Sequence, residues 1–255
     1  MIAPRFAIAA LGAVLYAQAP HAQTAAPGFA AASVKANTSG HNGMGNKFDP
    51  GMARWTNYPL SELIGDAYGL RNYQTFGWPE WLGSDKWDID AATDGPTTYT
   101  QKHRMLQTLI EERFHLKFHR EMRDLQGYSL VIAKGGPKLH EVKEGEAGAE
   151  SAGINYNRGR IIARRTPMFQ WLFFLSGELR CPFEDNTGLK GKYDFKLEWA
   201  PDEIQPNGGG EASADPNRPS IFAALQEQLG LKLEVKKFSV EMFVIDHVEK
   251  IPTAN

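Results

Sequence analysis

Cysteine is nearly missing from this chain; Cys181 is the only one. A single thiol cannot close an internal disulfide, so the fold must rest on its core. A surplus of one charge is missing too. The 28 basic and 30 acidic side chains are interspersed and leave a formal charge of −2. Nucleic-acid partners usually require a basic face, so none is expected. The same balance argues against a strong electrostatic membrane anchor. Beyond the N-terminus no stretch is apolar over the ~20 residues that a spanning helix needs. Catalytic signatures are absent as well: no G-x-S-x-G elbow, no Walker loop, no H-E-x-x-H and no Cys-His metal spacing.

What is present begins with an export signature. Arg5 precedes an apolar run from Phe6 to Tyr16, and the small and polar AQAPHAQTAAPG follows. That order is expected of a secretory signal peptide over residues 1–23, cleaved between Ala19 and Thr24. No cysteine near the cleavage region offers a lipid attachment point. The expected location is therefore periplasmic or secreted. The remaining ~230 residues can bury a substantial core.

Two segments read as loops. One is KEGEAGAESAG from Lys143 to Gly153, and the other runs from Pro201 to Pro219 through three consecutive glycines. The first separates an expected lobe at 24–147 from a second at 148–255. The halves resemble each other. ARWTNYPLSELIGDAYG starts at Ala53 and ARRTPMFQWLFFLSG at Ala163. Each reads as a strand, then Thr, then Pro, then an apolar helical run. Thr56 and Thr166 are expected as N-caps, with Pro59 and Pro167 in the first turns. Trp87-Asp88 lies opposite Tyr193-Asp194. RMLQTLIEERFHLKF, ending at Phe118, aligns with PSIFAALQEQLGLKL, ending at Leu233. GYSLVIA then aligns with MFVIDHV at the same offset of 115. The expected fold is α+β, with two similar lobes from an internal duplication. Each is a mainly antiparallel, hairpin-joined sheet with two short helices on one face, broadly ferredoxin-like.

The ordered motifs resemble one family. They are FAAASVKAN at Phe29, LSELIGDAYGL at Leu60, GWPEWL at Gly77 and MLQTLIEERFHLKFHRE at Met105. YSLVIAKGGPKL at Tyr128, DNTGLKGKYDFKLEW at Asp185, ALQEQLGLKLE at Ala224 and VIDHVEK at Val244 continue the series. This is similar to an exported protein family abundant in soil acidobacteria, built on a domain of unknown function. Its pattern commonly has Pro where Ala36 stands here. Relatives of the domain also occur fused to membrane sensors that resemble beta-lactam-sensing peptidases. The resemblance thus implies a sensing or binding role at the envelope and supplies no site residues.

Candidate chemistry is sparse. His115 and His119 stand four apart, and the segment alternates Phe114, Leu116 and Phe118 against His115, Lys117 and His119. On a strand that spacing spans ~13 Å, too far for one metal ion. A polar outer face is expected instead, with no metal and no cofactor. Asp246 and His247 are adjacent on a strand and face apart, so they form no acid–base pair. Asp185 in DNTG resembles an aspartic-protease triplet, but Asn186 interrupts it. A hairpin turn using Gly188 and Gly191 is the expected reading. Cys181 is expected as a buried thiol.

Trp78-Pro79-Glu80-Trp81 is the most distinctive local feature. Exposed Trp rings would stack on sugars or anchor a partner; buried ones would roof the first lobe. Trp78, Glu80 and Trp81 are the candidate binding residues. The expected function is a non-catalytic secreted or cell-envelope module. Its partner would be an envelope protein, a glycan or a small ligand. The alternative is a secreted hydrolase with its site in an inter-lobe cleft.

Overall fold

The computed structural model describes residues 26–41, 43–75, 77–143, 152–157, 159–200 and 218–253. The expected signal peptide and most of both expected loops lie outside these residues. The chain opens with β1 (Ala31–Ala36), β2 (Gly45–Asp49) and β3 (Met52–Pro59). Then come α1 (Leu60–Tyr68), α2 (Trp81–Ser84), β4 (Lys86–Ala92) and α3 (Tyr99–Arg113). β5 (Lys117–Ile132) follows, then β6 (His140–Glu141), β7 (Gly153–Asn157) and β8 (Arg160–Pro167). α4 (Met168–Leu179), β9 (Phe183–Asp185) and β10 (Lys192–Glu198) lead to α5 (Ile221–Ala224). A π-helical turn at Leu225–Leu229 and β11 (Leu231–His247) complete the fold. The mixture of sheets and helices is α+β, and no helix among the described residues is long and apolar enough to cross a membrane.

Among the described residues the strands form three sheets. The first has strand order β1-β4-β3-β2 and the second β6-β10-β8-β7. Strand alternation explains their one-sided burial: Ala53, Trp55 and Asn57 of β3 point inward between exposed neighbours. α1 then buries Leu60, Leu63, Ile64 and Ala67, the i, i+3, i+4, i+7 stripe of an amphipathic helix. Gly69 ends it in the left-handed conformation, φ 64°, which glycine adopts without a Cβ clash. A reciprocal capping box between Thr98 and Gln101 opens α3. Thr56 and Thr166 are not helix caps, contrary to expectation. The N-cap residues are Pro59 and Pro167, whose extended φ and ψ fit that position. Thr166 is buried, and its hydroxyl donates instead to backbone carbonyls of Gly153 and Arg164.

β3 and β8 each carry a bulge just before these prolines. There Asn57 and Arg165 adopt positive φ, at 59° and 47°. Such a conformation costs ~1–2 kcal/mol for a residue with a Cβ. A carboxylate from the neighbouring strand holds each one. Asp88 accepts the Asn57 N–H at 2.8 Å, and Asp194 accepts the Arg165 N–H at 2.6 Å.

The third sheet differs from expectation. FHLKF and GYSLVIA do not form a hairpin; Lys117-Phe118 and Gly127–Ile132 are the two ends of the single strand β5. β11 is likewise continuous and pairs antiparallel with β5, from Ile132 opposite Leu231 to Phe118 opposite Ile245. β9 joins the other edge of β5 in parallel. Asp185 does sit in a turn, accepting the Thr187 N–H at 3.0 Å, and Gly188 takes φ 71°. That turn is no hairpin, because it passes from β9 in the third sheet to β10 in the second.

Two apolar clusters form the core. The first surrounds Trp55, Leu63, Ile89, Leu106 and Phe114, and it takes Phe243 from β11. The second surrounds Trp171, Leu175, Leu197, Trp199 and Leu225, and it takes Leu130 from β5. Each long strand therefore supplies side chains to the core on the far side of the sequence.

The bulge geometry gives a measurable expectation. Asp194→Ala removes a charged acceptor from a backbone N–H and costs roughly 2 kcal/mol, within the ~1.5–3 of such bonds. Arg54→Ala breaks only the exposed ion pair with Asp90 and leaves stability nearly unchanged. Urea denaturation of both variants reads the difference; equal losses would remove Asp194 from the account.

Candidate functional site

The helices α1 and α4 occupy the same place in their sheets, each following a bulged strand and a proline N-cap. Their inner faces correspond. Leu60, Leu63, Ile64 and Ala67 are buried in one; Met168, Trp171, Leu172 and Leu175 are buried in the other. Their outer faces do not correspond. Where α1 has Ser61, Glu62, Gly65 and Asp66, α4 has Phe169, Gln170, Phe173 and Phe174. Phe169 is 71% exposed and Phe173 56%. A helix that is apolar on every side is normally buried on every side. Here the outer rings are left in solvent, and α1 shows that this position in the fold works with polar residues.

These rings line a groove of about 460 Å³, shared by Arg71, Ile154, Phe169, Gln170, Phe173 and Phe174. β7 forms one wall. Its Tyr156 ring packs 5.6 Å from Phe174, and its hydroxyl donates to Glu178 at the end of α4. Arg71 also lines the groove and comes from the first half of the chain. The turn at Gly69 sends the backbone out of α1, and Asn72–Gln74 form a short 3-10 turn. Gln74 fixes this turn twice. Its side-chain oxygen accepts the Arg71 N–H at 2.8 Å, and its amide donates to the Glu241 carbonyl of β11 at 3.0 Å. The Arg71 guanidinium lies over the Phe173 ring, 4.4 Å from its centroid. Among the described residues no carboxylate pairs with it.

Two titratable groups lie close by. Burial pushes the Tyr73 hydroxyl above the ordinary phenol value, while the Arg71 charge acts in the opposite direction. Burial also pushes the Cys181 thiol up to about 11. The thiol is half-buried rather than fully enclosed.

The Trp78–Trp81 segment lies elsewhere. Trp78 is half-buried against the first core, its ring 6.0 Å from Phe243 and its indole N–H donating to the Phe243 carbonyl at 3.3 Å. Trp81 begins α2 and packs on the same core. Glu80 stands exposed beside them. This segment and the groove share no lining residue.

The histidines are dispersed. His115 does not lie on a strand: it turns the chain out of α3 with φ 49°, and β5 begins two residues later. Its Nδ1 is 3.1 Å from Glu249, whereas His119 Nδ1 is 2.8 Å from Asp246. Asp246 thus pairs across the ribbon rather than with His247. Among the described residues no group of three or more His, Cys, Asp or Glu side chains could hold a metal ion.

Sequence reading passed over the groove. Phe169 and Phe173 sit in MFQWLFFLSG, which reads simply as an apolar helix. The available signal was the comparison with LSELIGDAY from the shared proline onward, where polar residues meet phenylalanines.

Three measurements follow from these placements. Phe173→Ser changes stability by less than ~0.5 kcal/mol, as an exposed site should. Trp78→Ala costs roughly 2–3 kcal/mol, below the ~3–5 of a fully buried Trp. Thermal and urea melts separate the two. Iodoacetamide alkylation of Cys181 is slow at pH 8, where the thiol is protonated, and accelerates toward pH 11. A rate already at its plateau by pH 9 would contradict the raised value.

Searches of curated proteins and of solved structures return no match. Residues 61–248, which include both walls of the groove, match the family described as protein of unknown function (DUF3738), and the chain belongs to that family.

Proposed function

We propose that this chain is a non-catalytic binding module, exported to the periplasm or beyond, whose contact site is the groove between Arg71 and α4. The observation that carries this reading is the contrast between α1 and α4. The positions equivalent to Phe169, Phe173 and Phe174 are Ser61, Gly65 and Asp66, so the rings are not demanded by the fold. Apolar side chains kept exposed in a concave site favour ligand contact. The groove's walls come from both halves of the chain, the place where the hydrolase alternative would put its cleft. Among the described residues, however, its lining carries one cation, one amide and four apolar side chains, with no nucleophile and no general base.

The architecture supports an internal duplication. The sheet orders match strand for strand, and the offset of 115 carries Asp124 onto Ser239, its own cross-strand partner. On this view the second copy acquired its phenylalanines after the two diverged.

A ligand-library thermal-shift screen run beside a hydrolase substrate panel tests the function. Ligands should raise the melting temperature of the wild type and not that of Phe169→Ala/Phe173→Ala. Turnover abolished by the same double substitution would replace the binding reading with the hydrolase one.

A further inference from the structure

We infer that the groove takes a small hydrophobic monocarboxylate: an acid whose hydrocarbon body lies on Phe169, Phe173 and Ile154 and whose carboxylate meets Arg71. This rests on the binding reading above and adds the ligand's chemical class.

The charge of the site sets the headgroup. Among the described residues Arg71 is the single cationic side chain of the lining, and Gln170 supplies the single amide. One guanidinium balances one negative charge, so a carboxylate suits it better than a phosphate dianion. The geometry agrees. The guanidinium carbon lies 4.4 Å over the Phe173 ring, and the N–H groups along its edge can meet a carboxylate. Among the described residues nothing else neutralises that edge. The 3-10 turn and its two Gln74 hydrogen bonds hold Arg71 in place before any ligand arrives, which lowers the ordering cost of binding.

The remaining lining sets the body. Three phenylalanines and an isoleucine offer apolar contact without a hydrogen-bonding pattern that a sugar would need. About 460 Å³ lies within the range of small-molecule sites, ~300–1,000 Å³. A free acid is therefore the occupant, rather than a folded protein surface.

Isothermal titration with four probes tests this: decanoate below its micellar concentration, decan-1-ol, decyltrimethylammonium, and a peptide ending in Phe-Phe with a free carboxylate. Decanoate should bind at least ~10-fold more tightly than decan-1-ol, the scale of a charged hydrogen bond. The ammonium probe should not bind. Arg71→Gln should remove that advantage while leaving decan-1-ol within about twofold, and Phe173→Ala should weaken both. Melting temperatures verify that each variant is folded. The wild-type comparison of acid with alcohol decides the matter even if a variant is not. Equal binding of acid and alcohol, or binding of the peptide alone, would overturn the carboxylate assignment and leave groove binding standing. No binding of decanoate would overturn it too. If library hits also ignored Phe169 and Phe173, the groove reading itself would fall.

Discussion

Pairing of β5 with β11 joins everything else in this molecule. Along that ribbon the backbone pairing runs from one core to the other, and the side chains that enter the cores stand at its ends. At one end the Phe118 and Phe243 rings stack 4.1 Å apart beneath Tyr68. At the other, Leu130 and Leu231 are fully buried in the second core. Between them lie charged residues, such as Arg120 paired with Glu241. β9 can reach the ribbon only because position 127 is glycine. A Cβ there would sit 2.2 Å from the Pro182 carbonyl, whose oxygen accepts the Tyr128 N–H.

The groove inherits its rigidity from this frame. Gln74 ties the Arg71 turn to β11, and α4 rests on the second core through Trp171 and Leu175. Both walls are thus anchored, directly or through a core, to the same pair of strands. The exposed rings of Phe169 and Phe173 add nothing to that anchoring, since Ser61 and Gly65 stand at the aligned positions of α1. Their retention is a matter of surface chemistry.

Much of the fold could be read from the sequence, because period-two and period-3.6 patterns report burial directly. The strand-to-proline-to-helix units, the amphipathic α1 and α3, and the matching Asp88 and Asp194 were all visible. The long strands were not. His119 to Gln126 carries six polar residues around Met122 and Leu125 and shows no apolar alternation, so nothing in the pattern says that one strand runs through it. The helix caps were misread by the appeal of threonine, when the extended backbone of proline serves at the same position. The groove was hidden for a different reason. Periodicity finds the buried stripe of α4 but cannot tell a surplus phenylalanine from a packed one. The tryptophans drew attention by their rarity, yet both lie against the first core.

The reach of the ribbon also sets an order of assembly. Phe118 emerges from the ribosome well before its stacking partner Phe243, which lies 125 residues further along the chain. Until then the first half presents an open apolar floor, with Tyr68, Phe118 and the Trp78 ring uncovered and an unpaired β5 edge beside them. Contacts this distant in sequence close slowly, and exposed strand edges invite wrong partners while they wait. A truncated or stalled product therefore lacks the clasp of both cores at once, and its missing last strand exposes the first half as surely as the second.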